Sequence, residues 1–217
     1  MAANPHSPIS AAQPACASPR GAATRATTTQ ARGWRAFTLA AAAMGATAGL
    51  TIWPAAPAAA SLAHGVRAPE FTVQGAQGGR RLTITLRNAL RRGPVVLYFF
   101  PRAFTDGCTL ESRAFAQAAP QFRAAGATII GLSGDDVATL SRFSTQECRS
   151  AFPMGSASSN LMAQYDVTLR AGISTRTSYV IGQDGRIAHV HNDMNPNDHV
   201  RETLAAVQAI RAGTHAH

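Results

Sequence analysis

Residues 94–100 read Pro-Val-Val-Leu-Tyr-Phe-Phe, an apolar run rich in β-branched and aromatic side chains that Pro101 brings to a stop. A run this short and this apolar predicts a central strand covered on both faces. Residues 127–132 (ATIIGL) make a second strand of the same kind. Around these two, residues 82–87 (LTITLR) alternate apolar and polar, as a half-exposed strand does. Residues 178–181 and 186–190 are further strands, joined by the hairpin turn Gln183-Asp184-Gly185.

Helical patterns fill the gaps. One helix is expected from Cys108 or Thr109 toward Phe122, and one from about Val137 to Cys148, capped by the turn Ser133-Gly134-Asp135-Asp136. A short helix covers residues 160–165, and a last one runs from a cap at Asn197 or Asp198 through Ala212. This order of strands and helices predicts an α/β fold: a mixed central sheet with helices on both faces, in a thioredoxin-like layout.

The first sixty residues are of another kind. They contain no Asp or Glu, and their only charges are Arg20, Arg25, Arg32 and Arg35. An uncharged, mostly apolar run follows over residues 36–53, then Pro54 and Pro57, then Ala58-Ala59-Ala60. A positive start, an apolar middle and a small-residue exit predict a secretory signal peptide cleaved after Ala60, and so a secreted or periplasmic protein. The rival reading is an uncleaved membrane anchor, for which 18 apolar-region residues stand at the low edge. The long n-region leaves room for a start codon downstream of Met1. Residues 61–217 then form one domain.

The whole chain carries a net charge of +9, with Arg as its only strong base. These Arg residues are scattered and not interleaved with aromatics, which argues against nucleic-acid binding. His189 and His191 share one strand face near Asp193 but lack a familiar ligand spacing, and read as solvated edge residues with no metal. Of three cysteines, Cys16 leaves with the leader, so Cys108 and Cys148 remain.

Cys108 follows the central strand and opens a helix. In open α/β sheets, sites gather at the carboxyl ends of strands. There the unpaired N–H groups of a helix's first turn and the positive end of its dipole favour a thiolate, the reactive form of cysteine. The surrounding residues Pro101, Thr105, Cys108 and Glu111 fit a P-x-x-x-T-x-x-C-x-x-E pattern. With residues 95–101, Ala68-Pro69-Glu70-Phe71 and Arg176-Thr177-Ser178-Tyr179-Val180-Ile181, they make the chain resemble the peroxiredoxin family, in its bacterioferritin-comigratory or PrxQ branch.

The resemblance implies a thiol-dependent peroxidase that reduces hydrogen peroxide and organic hydroperoxides without a cofactor. Cys108 would attack the distal peroxide oxygen and become a sulfenic acid. Thr105 and Arg176 would bond thiolate and peroxide, and Pro101 would shield the sulfur. The N–H groups of Gly107 and Cys108 would steady the oxygen, and Glu111 would orient an Arg of the pocket. A free thiol is a few per cent ionised at neutral pH, so complete ionisation raises the reactive fraction by roughly thirty-fold at most. Fast peroxide reduction therefore rests mainly on aligning and polarising the O–O bond.

Some PrxQ members carry a resolving cysteine five residues after the nucleophile, but here that position is Arg113. Others carry it on the helix of the next α/β unit, close to Cys148. Because a disulfide needs Cα atoms within about 7 Å, Cys148 is expected to resolve Cys108 only after local unwinding of both helices. The alternative is a structural thiol in an enzyme served by an external thiol. The expected partners are the peroxide and a thioredoxin-like or small-thiol reductant. The protein is expected as a monomer or weak dimer, touching a membrane only if the leader stays. The rival functions are a redox-sensing protein that passes oxidation to a partner, and a disulfide oxidoreductase, which would need Cys-x-x-Cys where this chain has Glu111.

Overall fold

The computed structural model describes residues 61–214, so the expected leader over residues 1–60 lies outside the described residues. The domain opens with an antiparallel hairpin, β1 (Thr72–Gln77) and β2 (Arg80–Thr85). Its two-residue turn is Gly78-Gly79, both at positive φ (56° and 80°), as a turn that follows the strand twist requires. A short helix, α1 (Leu86–Leu90), buries Leu86, Ala89 and Leu90. The strand expected over residues 82–87 thus ends at Thr85, because Leu86 turns into the core as part of this helix.

Strand β3 (Val95–Phe99) is the apolar run, and all its residues are buried. Helix α2 (Asp106–Ala124) follows, starting two residues ahead of Cys108 and continuing through Pro120. Then come β4 (Thr128–Ser133) and α3 (Val137–Gln146), whose N-cap Asp136 accepts from Thr139 N at 2.7 Å. After β5 (Met154–Ser156) and α4 (Ser159–Gln164) comes a small separate hairpin of β6 (Thr168–Arg170) and β7 (Ile173–Ser174). Strands β8 (Thr177–Ile181) and β9 (Ile187–Asn192) make the expected second hairpin, and α5 (His199–Thr214) closes the domain.

Seven strands form one mixed sheet in the order β2-β1-β5-β4-β3-β8-β9. Strand β3 is parallel to β4 and antiparallel to β8, with Phe99 opposite Thr177. Side chains alternate across a strand, so β3 feeds two cores. Val95, Leu97 and Phe99 pack with Leu86, Tyr165 and Tyr179 on one face. Val96, Tyr98 and Phe100 pack on the other with Phe115, Phe122, Phe143 and both Cys108 and Cys148. Helix α2 turns Cys108, Glu111, Ser112, Phe115, Ala118, Ala119 and Phe122 inward, a stripe at helical spacing. Cys108 and Glu111 in its first turns thus share one face with the hydrophobic anchors further along. Phe115 stacks on Tyr98 with centroids 4.5 Å apart, and truncating so buried a ring costs about 3–5 kcal/mol.

Candidate active site

The loop between β3 and α2 is fixed from behind. The Asp135 carboxylate accepts from the Ala103 backbone N–H at 2.7 Å and from the Ser133 hydroxyl at 2.8 Å. Phe104 bends the chain at φ 63° and sets its ring edge-on against Phe143, centroids 5.1 Å apart. A non-glycine residue at positive φ is uncommon and is held there by its surroundings. Pro101 is partly exposed at the end of β3.

Cys108 is the third residue of α2 and only 1% exposed. Arg176 stands at the threshold of β8, 68 positions away, and its Nη2 reaches Cys108 Sγ at 3.4 Å. The guanidinium is held on all sides: Nε donates to Met194 O at 3.0 Å, while Nη1 donates to Glu111 Oε2 and, at 3.5 Å, to Gly107 O. Burial works against the charge of Arg176, but Glu111 and Cys108 outweigh it and hold the side chain protonated. Gly107 leaves space for it, because a Cβ there would lie 3.0 Å from Nη2. The Arg bonded to Glu111 is Arg176.

Glu111 is fully buried, and burial raises its carboxyl pKa to about 8 despite the opposing pull of Arg176. Its second oxygen, Oε1, lies 3.5 Å from His199 Nδ1. His199 also meets Ser178 Oγ at 2.8 Å through Nδ1 and the Asp193 carbonyl at 2.9 Å through Nε2. Neither Ser178 nor His199 was expected at the site. Each belongs to a different element from α2, and only the packing of β8 and α5 brings them together.

Thr105 is the N-cap of α2, but its side chain caps no helix N–H. Its hydroxyl donates back to Arg102 O at 3.1 Å, and the structure does not join it to Cys108. Cys148 does not lie on α3, which stops at Gln146. It sits in the turn beyond, followed by Arg149 and Ser150 at φ 47° and 59°. Its thiol is wholly buried beside Ser112, one turn past Cys108 on α2. Ser112 in turn meets the Tyr98 hydroxyl at 3.1 Å. Both cysteines are free thiols. His189 and His191 lie on the edge strand β9, as expected, but are half-buried, since α5 packs over β9, and His191 meets the His199 ring edge-on with centroids 4.5 Å apart.

A thioredoxin-like sheet that presents a buried thiol to an arginine at a helix N-terminus defines a thiol-based redox enzyme. Comparison with known proteins narrows the class. Residues 64–190 match the AhpC/TSA family. The chain is 31% identical over 153 residues to chloroplastic peroxiredoxin Q of Oryza sativa subsp. japonica, covering 69% of this chain and 68% of that one. Its fold matches peroxidoxin BcpB of Mycobacterium tuberculosis with a TM-score of 0.60 at 31% identity, over 68% of this chain and 97% of that one. Xanthomonas campestris peroxiredoxin Q matches with a TM-score of 0.56 at 28% identity, over 64% and 91% of the two chains. The chain belongs to the AhpC/TSA family, as a peroxiredoxin of the PrxQ branch, and is a thiol-dependent peroxidase. Among the described residues no helix is long and apolar enough to cross a membrane.

Proposed function

We propose that Cys108 is the peroxidatic nucleophile and that Arg176 is the group that makes its attack fast. The observation that carries this is the 3.4 Å contact between Arg176 Nη2 and Cys108 Sγ. The Cys108 thiolate attacks the distal oxygen of hydrogen peroxide or an organic hydroperoxide. An S–O bond forms, the O–O bond breaks, and the leaving alkoxide or hydroxide takes up a proton. Sulfur is oxidised by two electrons to the sulfenic acid, and the peroxide is reduced to alcohol or water. Arg176 donates to the thiolate and to the peroxide oxygens. The Thr105 hydroxyl, whose own proton goes to Arg102 O, accepts from the peroxide. The first-turn N–H groups at Gly107 and Cys108 have no partner within the helix and steady the oxygen. Pro101 limits the approach of water.

Cys148 then resolves the sulfenic acid. Its thiol displaces the Cys108 hydroxyl, the new S–S bond expels water, and an external thioredoxin-like dithiol or small thiol reduces the disulfide. Support comes from its place beside Ser112, one turn along α2 from Cys108, and from the non-helical turn that carries it. Burial pushes the Cys148 thiol up to about 12, so it is protonated at rest and turns nucleophilic only when the turn opens to water. The leader exports the domain, residues 61–217, to a secreted or periplasmic location.

The test is intact mass after one equivalent of hydrogen peroxide, without reductant. The expected change is the loss of two hydrogens in the wild type and a gain of oxygen on Cys108 in Cys148→Ser. A stable added oxygen in the wild type would refute resolution by Cys148. An unmodified Cys108 would refute the nucleophile.

A further inference from the structure

Glu111 Oε1 is buried and has no hydrogen-bond partner, although it faces His199 Nδ1 at 3.5 Å. The chemistry of the histidine ring is settled by its other side. His199 Nε2 lies 2.9 Å from the Asp193 carbonyl. A carbonyl can only accept, so Nε2 carries the hydrogen. In the neutral ring Nδ1 is then an acceptor only: the Ser178 hydroxyl donates to it at 2.8 Å, and Glu111 Oε1 faces the same nitrogen at 3.5 Å. Were Glu111 ionised, two lone-pair atoms would face each other in a dry enclosure, which is costly. One proton between them removes the conflict.

We propose that His199 is a positioning residue of the peroxidase: its Nδ1 accepts a proton held on Glu111 Oε1, which keeps Glu111 neutral and leaves the charge of Arg176 undivided for Cys108 and the peroxide. The inference rests on the peroxidase reading above. Glu111 Oε2 still accepts from Arg176 Nη1 and fixes its orientation, but no carboxylate charge competes with the thiolate for the guanidinium. The direction of titration agrees. Burial lowers the His199 ring pKa to about 4 and raises that of Glu111 to about 8, which places the proton on the carboxyl at neutral pH. The charged or titratable groups packed around the pair are Cys108 on α2, Arg176 ahead of β8, Tyr98 on β3, His191 on β9, and Asp193 in the loop before α5. Behind His191, His189 faces Glu202 at 4.0 Å.

Deprotonation of Glu111 then brings an alkaline fall in the rate of Cys108 oxidation. Two substitutions separate this role from mere support. His199→Gln keeps an amide near the Nε2 position, bonded to Asp193 O, but offers Oε1 no acceptor. His199→Asn places an amide oxygen near Nδ1 and gives up the Asp193 bond. Quenched-flow mass analysis of Cys108 oxidation by hydrogen peroxide, from pH 6 to 10, reads both. His199→Gln is expected to move the alkaline limb down by about one pH unit and to slow oxidation about fivefold near pH 8 and about tenfold at pH 9 and above, the loss of one hydrogen bond. His199→Asn is expected to stay within about threefold of wild type, well inside one pH unit of differential stabilisation. The reverse order would make His199 an anchor for the Asp193 loop and overturn the proposal.

Should either variant fail to fold, the ¹⁵N shift of His199 Nδ1 in the wild type decides. It is expected to move between pH 7 and 9, and to stay fixed in Glu111→Gln. A constant shift in the wild type would overturn the proposal. If Cys108 proves inert to peroxide while the nitrogen titrates as described, the peroxidase reading fails and the shared proton stands.

Discussion

Arg176 touches Cys108 Sγ with Nη2 while its Nη1 is bound to Glu111, so one planar group joins the sulfur to a buried carboxyl. Ionising a thiol more completely gains roughly thirty-fold at most. Removing a group proposed to polarise the O–O bond should cost more. Arg176→Met and Thr105→Val are each expected to lose well over roughly thirty-fold in the rate of Cys108 oxidation. Stopped-flow competition for hydrogen peroxide measures this, and a loss of a few-fold in either variant would contradict the proposed alignment.

Gly107→Ala probes the same contact from the other side. The added methyl would press on Arg176 Nη2 at 3.0 Å and push the guanidinium off the sulfur. Gly107 lies within α2, where Ala is the better helix former by about 1 kcal/mol. The expected result is a rate at least about tenfold lower, one hydrogen bond's worth, in a protein whose melting temperature is unchanged or higher. Rate and stability falling together would mean that the helix start, and not Arg176, is disturbed.

The buried Cys148 thiol makes stability depend on pH. In the unfolded chain a thiol ionises near pH 8.5, whereas in the fold burial holds it protonated up to about pH 12. A group whose folded pKa is raised contributes its full stability below the unfolded pKa and loses it as pH rises. Over that window the unfolded state binds fewer protons, and the loss is about 1.4 kcal/mol per pH unit. Urea unfolding under reducing conditions at pH 8 and pH 10 should show wild type losing more stability than Cys148→Ala. Equal losses would place Cys148 in contact with water.

Tyr98→Phe removes the hydroxyl that meets Ser112 Oγ at 3.1 Å and leaves the ring stack on Phe115 in place. Deleting one buried hydrogen bond is expected to cost about 1 kcal/mol in urea unfolding. A cost above about 3 kcal/mol, the scale of losing a whole buried ring, would show that the ring itself has moved.

Edman sequencing of the exported protein tests the leader. The expected first residue is Ser61, in a soluble extracellular or periplasmic fraction. Full-length chain in the membrane fraction would favour the anchor.

The central strands were legible because burial on both faces leaves no polar alternation: β3 and β4 announce themselves. The α3 cap at Asp136 and the β8–β9 turn were legible for local reasons, a side chain that accepts from its own helix and a glycine at φ 78°. Strand β1 was missed, although Gly78-Gly79 marked its hairpin, since TVQGAQ has few apolar residues to alternate. Strand β5 has only three residues and exists through pairing with the distant β1, while β7 has two and pairs only with its neighbour β6. At the site, Cys108 and Glu111 share one helix face and could be paired from spacing. Ser178 and His199 could not, because only the crossing of β8 and α5 over α2 brings them to Glu111.

The register of β3 on β8 decides when Cys108 meets its arginine. Phe99 pairs with Thr177, and Arg176 is the next residue toward the site. A slip of one position would turn each strand's side chains to the opposite face and carry Arg176 away from the sulfur. A chain that has not yet laid down β8 lacks the Arg176 contact, so its cysteine is an ordinary one. On the proposed role of Arg176, fast reaction with peroxide arrives only with the last strands.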